Sequence, residues 1–350
     1  MTRQYFFHTL ITVLLLLSFA YSGSLRVIAV GDIMLGSDYP VNMLPPGGGS
    51  GLFVNVGDTL RSADLTLGNL EGVFLEGGLC AKKPVKGKVY AFRTPPSFAQ
   101  HLMDAGFDFL NLANNHMNDF GSSGIESTMQ TLDACGIAYG GPAGRIGEFL
   151  VNGKKVVIVC YATSPGADLV FDMEEAQARV AGLARQNHIV IVSFHAGGEG
   201  LNFLHTRDTL EYFLDQPRGN VVRFARAVVD SGADLVWGHG PHVPRALEIY
   251  RDRLIAYSLG NFCTWGFNLA DERGYAPVLD VVLDSTGAFM YGKVISVLQR
   301  PGQPLVLDTL HSAAGLIRRL SAEDFPGSAP LVMEDGTILR TETGTAITPE

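Results

Sequence analysis

Carboxylate, amide and imidazole side chains stand at the ends of five apolar runs in this chain. Gly31-Asp32 follows Arg26–Val30, Asn69-Leu70-Glu71 follows Asp64–Leu67, and Asn114-Asn115-His116 follows Phe107–Leu112. His195 closes His188–Phe194, and Gly238-His239-Gly240-Pro241-His242 closes Asp234–Trp237. Oxygen and imidazole donors of these kinds suit borderline divalent cations. Open α/β sheets bind their ligands just beyond the carboxyl ends of the strands. Five such ends in one chain predict a pocket for metal ions, one or two of Mn, Fe or Zn.

Each position has its own logic. A carboxylate at the mouth of a buried strand is unfavourable unless paired or metal-bound, which makes Asp32 a candidate ligand. A plain N-cap or turn aspartate is the alternative. Asn69 and Glu71, two residues apart, share one side of an extended segment. Glu71 offers oxygens able to bridge two cations, and Asn69 a contact to substrate or to a ligand. The Asn114-Asn115-His116 run, with Asp119 three residues later, is the most distinctive. Its imidazole has a near-neutral pKa suited to protonating a leaving oxygen, and Asp119 is placed to orient it. His195 precedes Ala196-Gly197-Gly198-Glu199-Gly200, whose small residues let a substrate approach the backbone. Glu199 reads as a partner of His195 or as a surface residue. His239 and His242, split by Gly240-Pro241, read as a paired clamp on a tight loop. His101, His188, His205 and His311 have no comparable context.

Other residues speak to substrate. Lys82, Lys83, Lys86, Lys88 and Arg93 form a basic loop in an acidic chain. If it flanks the pocket it attracts an anionic substrate; a solvated loop is the alternative. Asn261, in Ser258-Leu259-Gly260-Asn261-Phe262, is placed to donate hydrogen bonds into the same pocket, with Trp265 as an aromatic wall.

These residues need strands and helices to position them. Strands are expected at 26–31, 64–68, 107–112, 156–161, 188–194 and 234–237. Helices are expected at Pro96–Ala105, Gly124–Cys135, Met173–Gln186 and Val221–Ser231. The alternation is that of βαβ units and a largely parallel sheet. Gly106, Gly136 and Gly232 fall where helices end. After residue 250 the texture becomes that of hairpins, at Leu254–Ser258, Ala276–Leu283, Ala288–Leu298 and Leu305–Leu307. These read as a second sheet packed on the first. Ser321–Glu350 reads as a peripheral tail.

The chain has 350 residues, 47% hydrophobic and 17% charged, enough to bury a large core. Its net charge of −9 argues against a general nucleic-acid binder. Residues 1–24 combine Arg3, an apolar stretch Phe6–Phe19 and the small-x-small pattern Ala20-Tyr21-Ser22. That is the pattern of a secretory signal peptide, and it places the domain from Leu25 onward in the periplasm or outside the cell. An uncleaved N-terminal membrane anchor is the alternative. The four cysteines are widely spaced; Cys160 reads as a buried thiol, and Cys80 as the more reactive or bridged one.

The motifs, in this order, resemble the CapA family associated with poly-γ-glutamate capsule synthesis. The matching stretches are Gly31-Asp32-Ile33-Met34-Leu35-Gly36, Asn69-Leu70-Glu71, Phe92-Arg93-Thr94-Pro95-Pro96 and Ala113-Asn114-Asn115-His116 with Asp119-Phe120-Gly121. His195-Ala196-Gly197, Gly238-His239-Gly240-Pro241-His242-Val243 and Tyr257-Ser258-Leu259-Gly260-Asn261-Phe262 complete the set. That family is similar to the calcineurin-type metallophosphoesterases. The resemblance implies an α/β sandwich of two mixed sheets flanked by helices, with a two-metal centre at strand C-terminal ends. It also implies Asp32, Glu71, Asn115, His195, His239 and His242 as metal ligands and His116 as catalytic acid. Asp119 would assist His116, while Asn69, Arg93, Asn114, Glu199 and Asn261 would contact substrate. One departure is Met34, which stands where metallophosphoesterases carry a histidine. Two functions fit. One is a metal-dependent hydrolase acting on an anionic small molecule or a poly-γ-glutamate-like polymer. The other is a non-catalytic polymer-binding or export component, working with capsule-synthesis membrane proteins.

Overall fold

Along four buried strands, every second residue points into the space between two mixed β-sheets, and the last of those residues is polar. The computed structural model describes residues 23–83, 90–142, 144–186, 188–342 and 345–346. Residues 1–22, most of the segment 1–24 expected to be a signal peptide, lie outside the described residues, as do Lys86 and Lys88. Among those described, no helix is long and apolar enough to cross a membrane.

The first sheet has nine strands. Leu25–Met34 is central, with Leu65–Leu70, Phe109–Asn111 and Ala138–Gly140 parallel on one side. On the other side Val278–Leu283 pairs antiparallel with its first half, and Asn261–Thr264 pairs parallel with its end. Phe289–Ile295, Thr337–Leu339 and Leu331–Val332 complete that edge. The second sheet has seven strands, with Lys154–Ala162, Ile189–His195, Leu235–His239 and Arg253–Ala256 parallel at its centre. The architecture is the expected sandwich of two mixed sheets flanked by helices. Its division between sheets differs from expectation. The late strands do not make one sheet together: Arg253–Ala256 extends the middle strands, Val278–Leu283 returns to the first strand of the chain, and Val297–Leu298 pairs with Val306–Leu307 in a separate sheet.

Leu65, Leu67 and Asn69 lie on one face of their strand, and so do Phe109 and Asn111. The series Ile189, Ile191, Ser193, His195 and Leu235, Trp237, His239 repeat the pattern from the other sheet. Their apolar members form one cluster between the sheets with Leu25, Val27, Ala29, Val281 and Leu283. Asp32 has the wrong parity to follow Val27 and Ala29. A register shift between Ala29 and Asp32 against Leu65–Leu70 supplies the correction, as a β-bulge does. Gly31 makes that possible, because a Cβ there would lie 1.9 Å from the Gly260 oxygen. The Asp32 amide donates to the same oxygen at 2.8 Å.

Helices Ala99–Ala105 and Gly121–Cys135 cover the outer face of the first sheet, through Leu102 and Leu132. Both end at a left-handed glycine, Gly106 and Gly136, as expected. Met173–Ala184 and Val221–Asp230 cover the second sheet, the latter capped by Asn220, whose side chain accepts from the Arg223 amide. The described part of the segment Ser321–Glu350, read as a peripheral tail, contributes to the core. Ser312–Asp324 is a helix, and Phe325, Val332, Ile338 and Leu339 are buried. All four cysteines are free, so Cys80 is not bridged; Cys160 is buried as expected.

Candidate metal centre

The polar strand ends converge between the sheets on two groups of possible cation ligands that share Asp32. One is Asp32, His195 and His239; the other is Asp32, Glu71 and His242. Within each, one donor atom per residue lies within 4.8 Å of the others. His195 Nδ1 is 3.7 Å and His239 Nδ1 3.8 Å from Asp32 Oδ1, and the two nitrogens are 3.1 Å apart. His242 Nδ1 is 3.0 Å from Asp32 Oδ2, and its Nε2 is 3.6 Å from Glu71 Oε1. The carboxylate within reach of both groups is Asp32, not Glu71, the bridge expected from sequence.

The donors fit cations. Both Glu71 oxygens, Asn115 Oδ1 and His195 Nε2 are buried without a hydrogen-bond partner. Orphaned acceptors of this kind are unfavourable unless something positive reaches them. Burial pushes Glu71 well up from the ordinary carboxylate range, and the charges of Asp32 and Glu199 add to it against the pull of His242. Burial works against charge on His242, yet Glu71 and Asp32 hold its proton far above the usual imidazole range. The cage therefore draws positive charge inward. His195 and His239 are driven the other way, chiefly by burial, His239 to about 4, so both present neutral nitrogens.

Surrounding residues fix these ligands. Asn69 donates to Asp32 Oδ1 at 2.8 Å, so its amide steadies a ligand. His239 Nε2 sits 2.9 Å from Ser193 Oγ and 3.0 Å from Asn111 Nδ2, which leaves Nδ1 for the centre. His242 has a positive φ of 59°, and Asn261 braces it from both sides. The Asn261 oxygen lies 3.1 Å from His242 Nδ1, and its amide donates to the His242 carbonyl at 3.2 Å. His116 Nδ1 is 2.8 Å from Asp119 Oδ2, the pairing expected from sequence, and His116 Nε2 is 3.7 Å from Glu71. Burial lowers the His116 pKa against the raising effect of Asp119, so the neutral ring offers Nε2 as a proton acceptor.

Three expected substrate contacts are redirected. Asn114 is fully buried and donates to the Leu70 carbonyl and Asn69 Oδ1, tying its loop to the end of the strand Leu65–Leu70. Arg93 is turned away to Asp38 and the Gly77 carbonyl, over the rings of Tyr39 and Phe120. Lys82 from the basic loop is spent on Asp119, at 2.5 Å, and on the Asn115 carbonyl. Glu199 does reach the site, 4.0 Å from His242 Nε2, but pairs with Arg218 at 3.0 Å instead of His195.

Sequence reasoning passed over Asn111, Ser193, Arg218, Glu211 and Arg245. The first two carried a signal, since each is the polar residue on the inward face of its strand. The rest did not. Buried Arg245 donates to Glu211 and to the Gly198 carbonyl, and Arg218 donates to the Gly197 carbonyl, so two arginines grip the loop after His195.

The family described as bacterial capsule synthesis protein PGA_cap matches residues 26–264, more than half of the chain. The chain belongs to this family. This family member is 28% identical over 251 residues to the capsule biosynthesis protein CapA of Bacillus anthracis, covering 68% of this chain and 59% of the relative. It is 29% identical over 253 residues to the PGA biosynthesis protein CapA of Bacillus subtilis, covering 67% and 61%. It thus spans about three fifths of the length of these curated relatives. Among solved structures, a Haemophilus influenzae NAD nucleotidase is similar at a TM-score of 0.42 and 12% identity, over 85% of this chain and 55% of that one.

Proposed function

We propose that this capsule-synthesis family member is an exported, metal-dependent hydrolase acting on an anionic substrate in capsule or polyglutamate metabolism. One observation carries the reading: two ligand groups share the buried Asp32, and both oxygens of Glu71 in the second group have no donor. Asp32, His195 and His239 would hold one divalent cation, and Asp32, Glu71 and His242 a second, with Asn115 completing the set. Cations there would supply Lewis acidity toward a substrate oxyanion. His116, held by Asp119, takes a proton at Nε2 from the water whose oxygen bonds the substrate's electrophilic atom and gives it to the leaving oxygen as that bond breaks, which makes it base first and acid second. Lys82, opposite His116 across Asp119, keeps that carboxylate in place. The names of the Bacillus relatives support capsule and polyglutamate biology, and the leader pattern supports export.

A second reading has one observation behind it. Met34 is buried and lines the cavity over the site, where the related enzymes carry an imidazole. The centre would then bind polymer without turning it over. The test is elemental analysis of the purified protein beside a His239→Ala/His242→Ala variant, with hydrolysis of bis(p-nitrophenyl) phosphate measured on both and on His116→Ala. About two equivalents of Mn, Fe or Zn, lost in the double variant, are expected. His116→Ala should keep the metal and lose turnover. Folded protein without metal refutes the reading; full metal without turnover on any ester or amide favours polymer binding.

A further inference from the structure

A cavity of about 520 Å³ opens directly onto His116 and His242. Most of its wall is apolar: Met34, Met43, Tyr90, Phe92, Phe213 and Phe267. The rings continue into the centre itself. Phe92 lies 4.3 Å from the His116 ring and 5.2 Å from Phe267, and Phe267 meets His242 edge-on at 5.6 Å. Any group held at the cation ligands therefore has aromatic carbon as its next neighbour.

The polar part of the wall is small and nearly balanced. Beyond the two imidazoles it consists of Glu199, Asn261, Asn268 and Arg273. Glu199 is paired with Arg218, and Arg273 already donates to the Ala270 carbonyl. Among the described residues, the lining thus offers one guanidinium and one carboxylate. A run of carboxylates entering here would lose its water against rings and meet one guanidinium, Arg273, among the described lining residues, which is unfavourable. An apolar group would gain contact on several sides, and about 150 Å³ already suffices to hold benzene.

We infer that the substrate carries an apolar substituent, of benzene size or larger, beside its reacting anionic group, and that this cavity receives it. The inference rests on the metal-centre reading above. It makes the wall of Met34, Phe92, Phe213 and Phe267 the specificity surface, and it assigns the apolar Met34 a role in seating substrate.

The test compares phenyl-, n-hexyl- and methylphosphonate binding by calorimetry to Mn²⁺-loaded protein, with Phe267→Ala alongside. Burying a phenyl ring should favour phenyl- over methylphosphonate by about ten- to a hundred-fold. Phe267→Ala should cut that preference by about five-fold or more while the bound metal stays constant. A phenyl advantage over hexyl assigns a ring, and the reverse assigns an alkyl chain; both support the inference. Equal affinities for all three phosphonates overturn it. If the protein holds no metal and no phosphonate binds, the metal reading fails by itself. Benzyl alcohol binding to chelator-stripped protein, read by ligand-observed NMR, then decides the cavity: binding lost in Phe267→Ala upholds it, and no binding overturns it.

Discussion

Replacing Trp237 by phenylalanine would loosen the two sheets beneath the cation ligands. The indole is fully buried, and its Nε1 donates across the interface to the Val30 carbonyl at 2.9 Å. Val30 sits in the bulge between Ala29 and Asp32, where pairing with the neighbouring strand is interrupted. Each partner lies two residues before a ligand, Asp32 or His239. Phenylalanine leaves the carbonyl without this donor, which costs about 1–3 kcal/mol. The lost part of the ring leaves a void of some 40 Å³, worth about 1 kcal/mol. The total, about 2–4 kcal/mol, corresponds to a fall in melting temperature of about 3–6 °C for a chain of this size. A second effect is specific to the site, because slack at Val30 and Trp237 lets Asp32 and His239 drift apart. Leu132→Ala is the control: it is fully buried under the outer helix of the first sheet, and its loss costs a similar amount. Melting by circular dichroism and Mn²⁺ titration by calorimetry should find both variants destabilised and only Trp237→Phe weakened in cation binding. A Trp237→Phe protein melting within about 1 °C of the parent, or losing no more cation affinity than Leu132→Ala, refutes the reasoning.

Three further outcomes are expected. Asp119→Asn should lower turnover by about a hundred-fold or more with metal content unchanged, since His116 loses its charged partner and Lys82 its counter-ion; unchanged turnover would remove this pair from the chemistry. Gly31→Ala should give insoluble or strongly destabilised protein, because its Cβ would strike the Gly260 oxygen at 1.9 Å; soluble protein with the parent's melting temperature would contradict the close strand crossing. Asp234 bears on pH: burial raises its pKa to about 6 against the pull of the Val190 amide and Arg253. A raised folded-state value stabilises the protein below the unfolded pKa near 4, and that contribution is lost as pH climbs through about 6. Over this window the loss is about 3 kcal/mol. Asp234→Asn should therefore gain on the parent between pH 4 and 6 in chemical denaturation, and parallel stability curves would refute the shift.

The site was legible in the sequence because its ligands extend buried strands. Alternation that carries Leu65 and Leu67 into the core carries Asn69 to the centre, and the same holds for His195 and His239. Sheet membership was not legible. Val278–Leu283 reads as half of a local hairpin, and nothing in its alternation says that its other edge pairs with Leu25–Met34, far away in the chain. Charges misled for a related reason. Arg93 and Lys82 look like anion receptors until the fold brings Asp38 and Asp119 to them, and composition does not reveal that pairing. The inward turn of Asp32 was also hidden, since it depends on a bulge that needs Gly31 and Gly260 to meet. At the C-terminal end, the Gly, Pro, Thr and acidic residues of Ser321–Glu350 read as a tail, yet a few residues such as Val332 and Ile338 suffice to seal a sheet edge.

The shared ligand groups are assembled from both sheets and from residues as far apart as Asp32 and His242. No fragment shorter than Asp32 to His239 contains a complete group, so a nascent chain would have nothing with which to sequester an ion until that strand is made. Any loading with metal would follow closure of the sandwich. Affinity order alone would favour copper and zinc wherever they are free, but a polypeptide that acquires its ions only after folding samples the ions around it at that moment. The place where this protein folds, more than the chemistry of its donors, would then decide which metal a filled centre held.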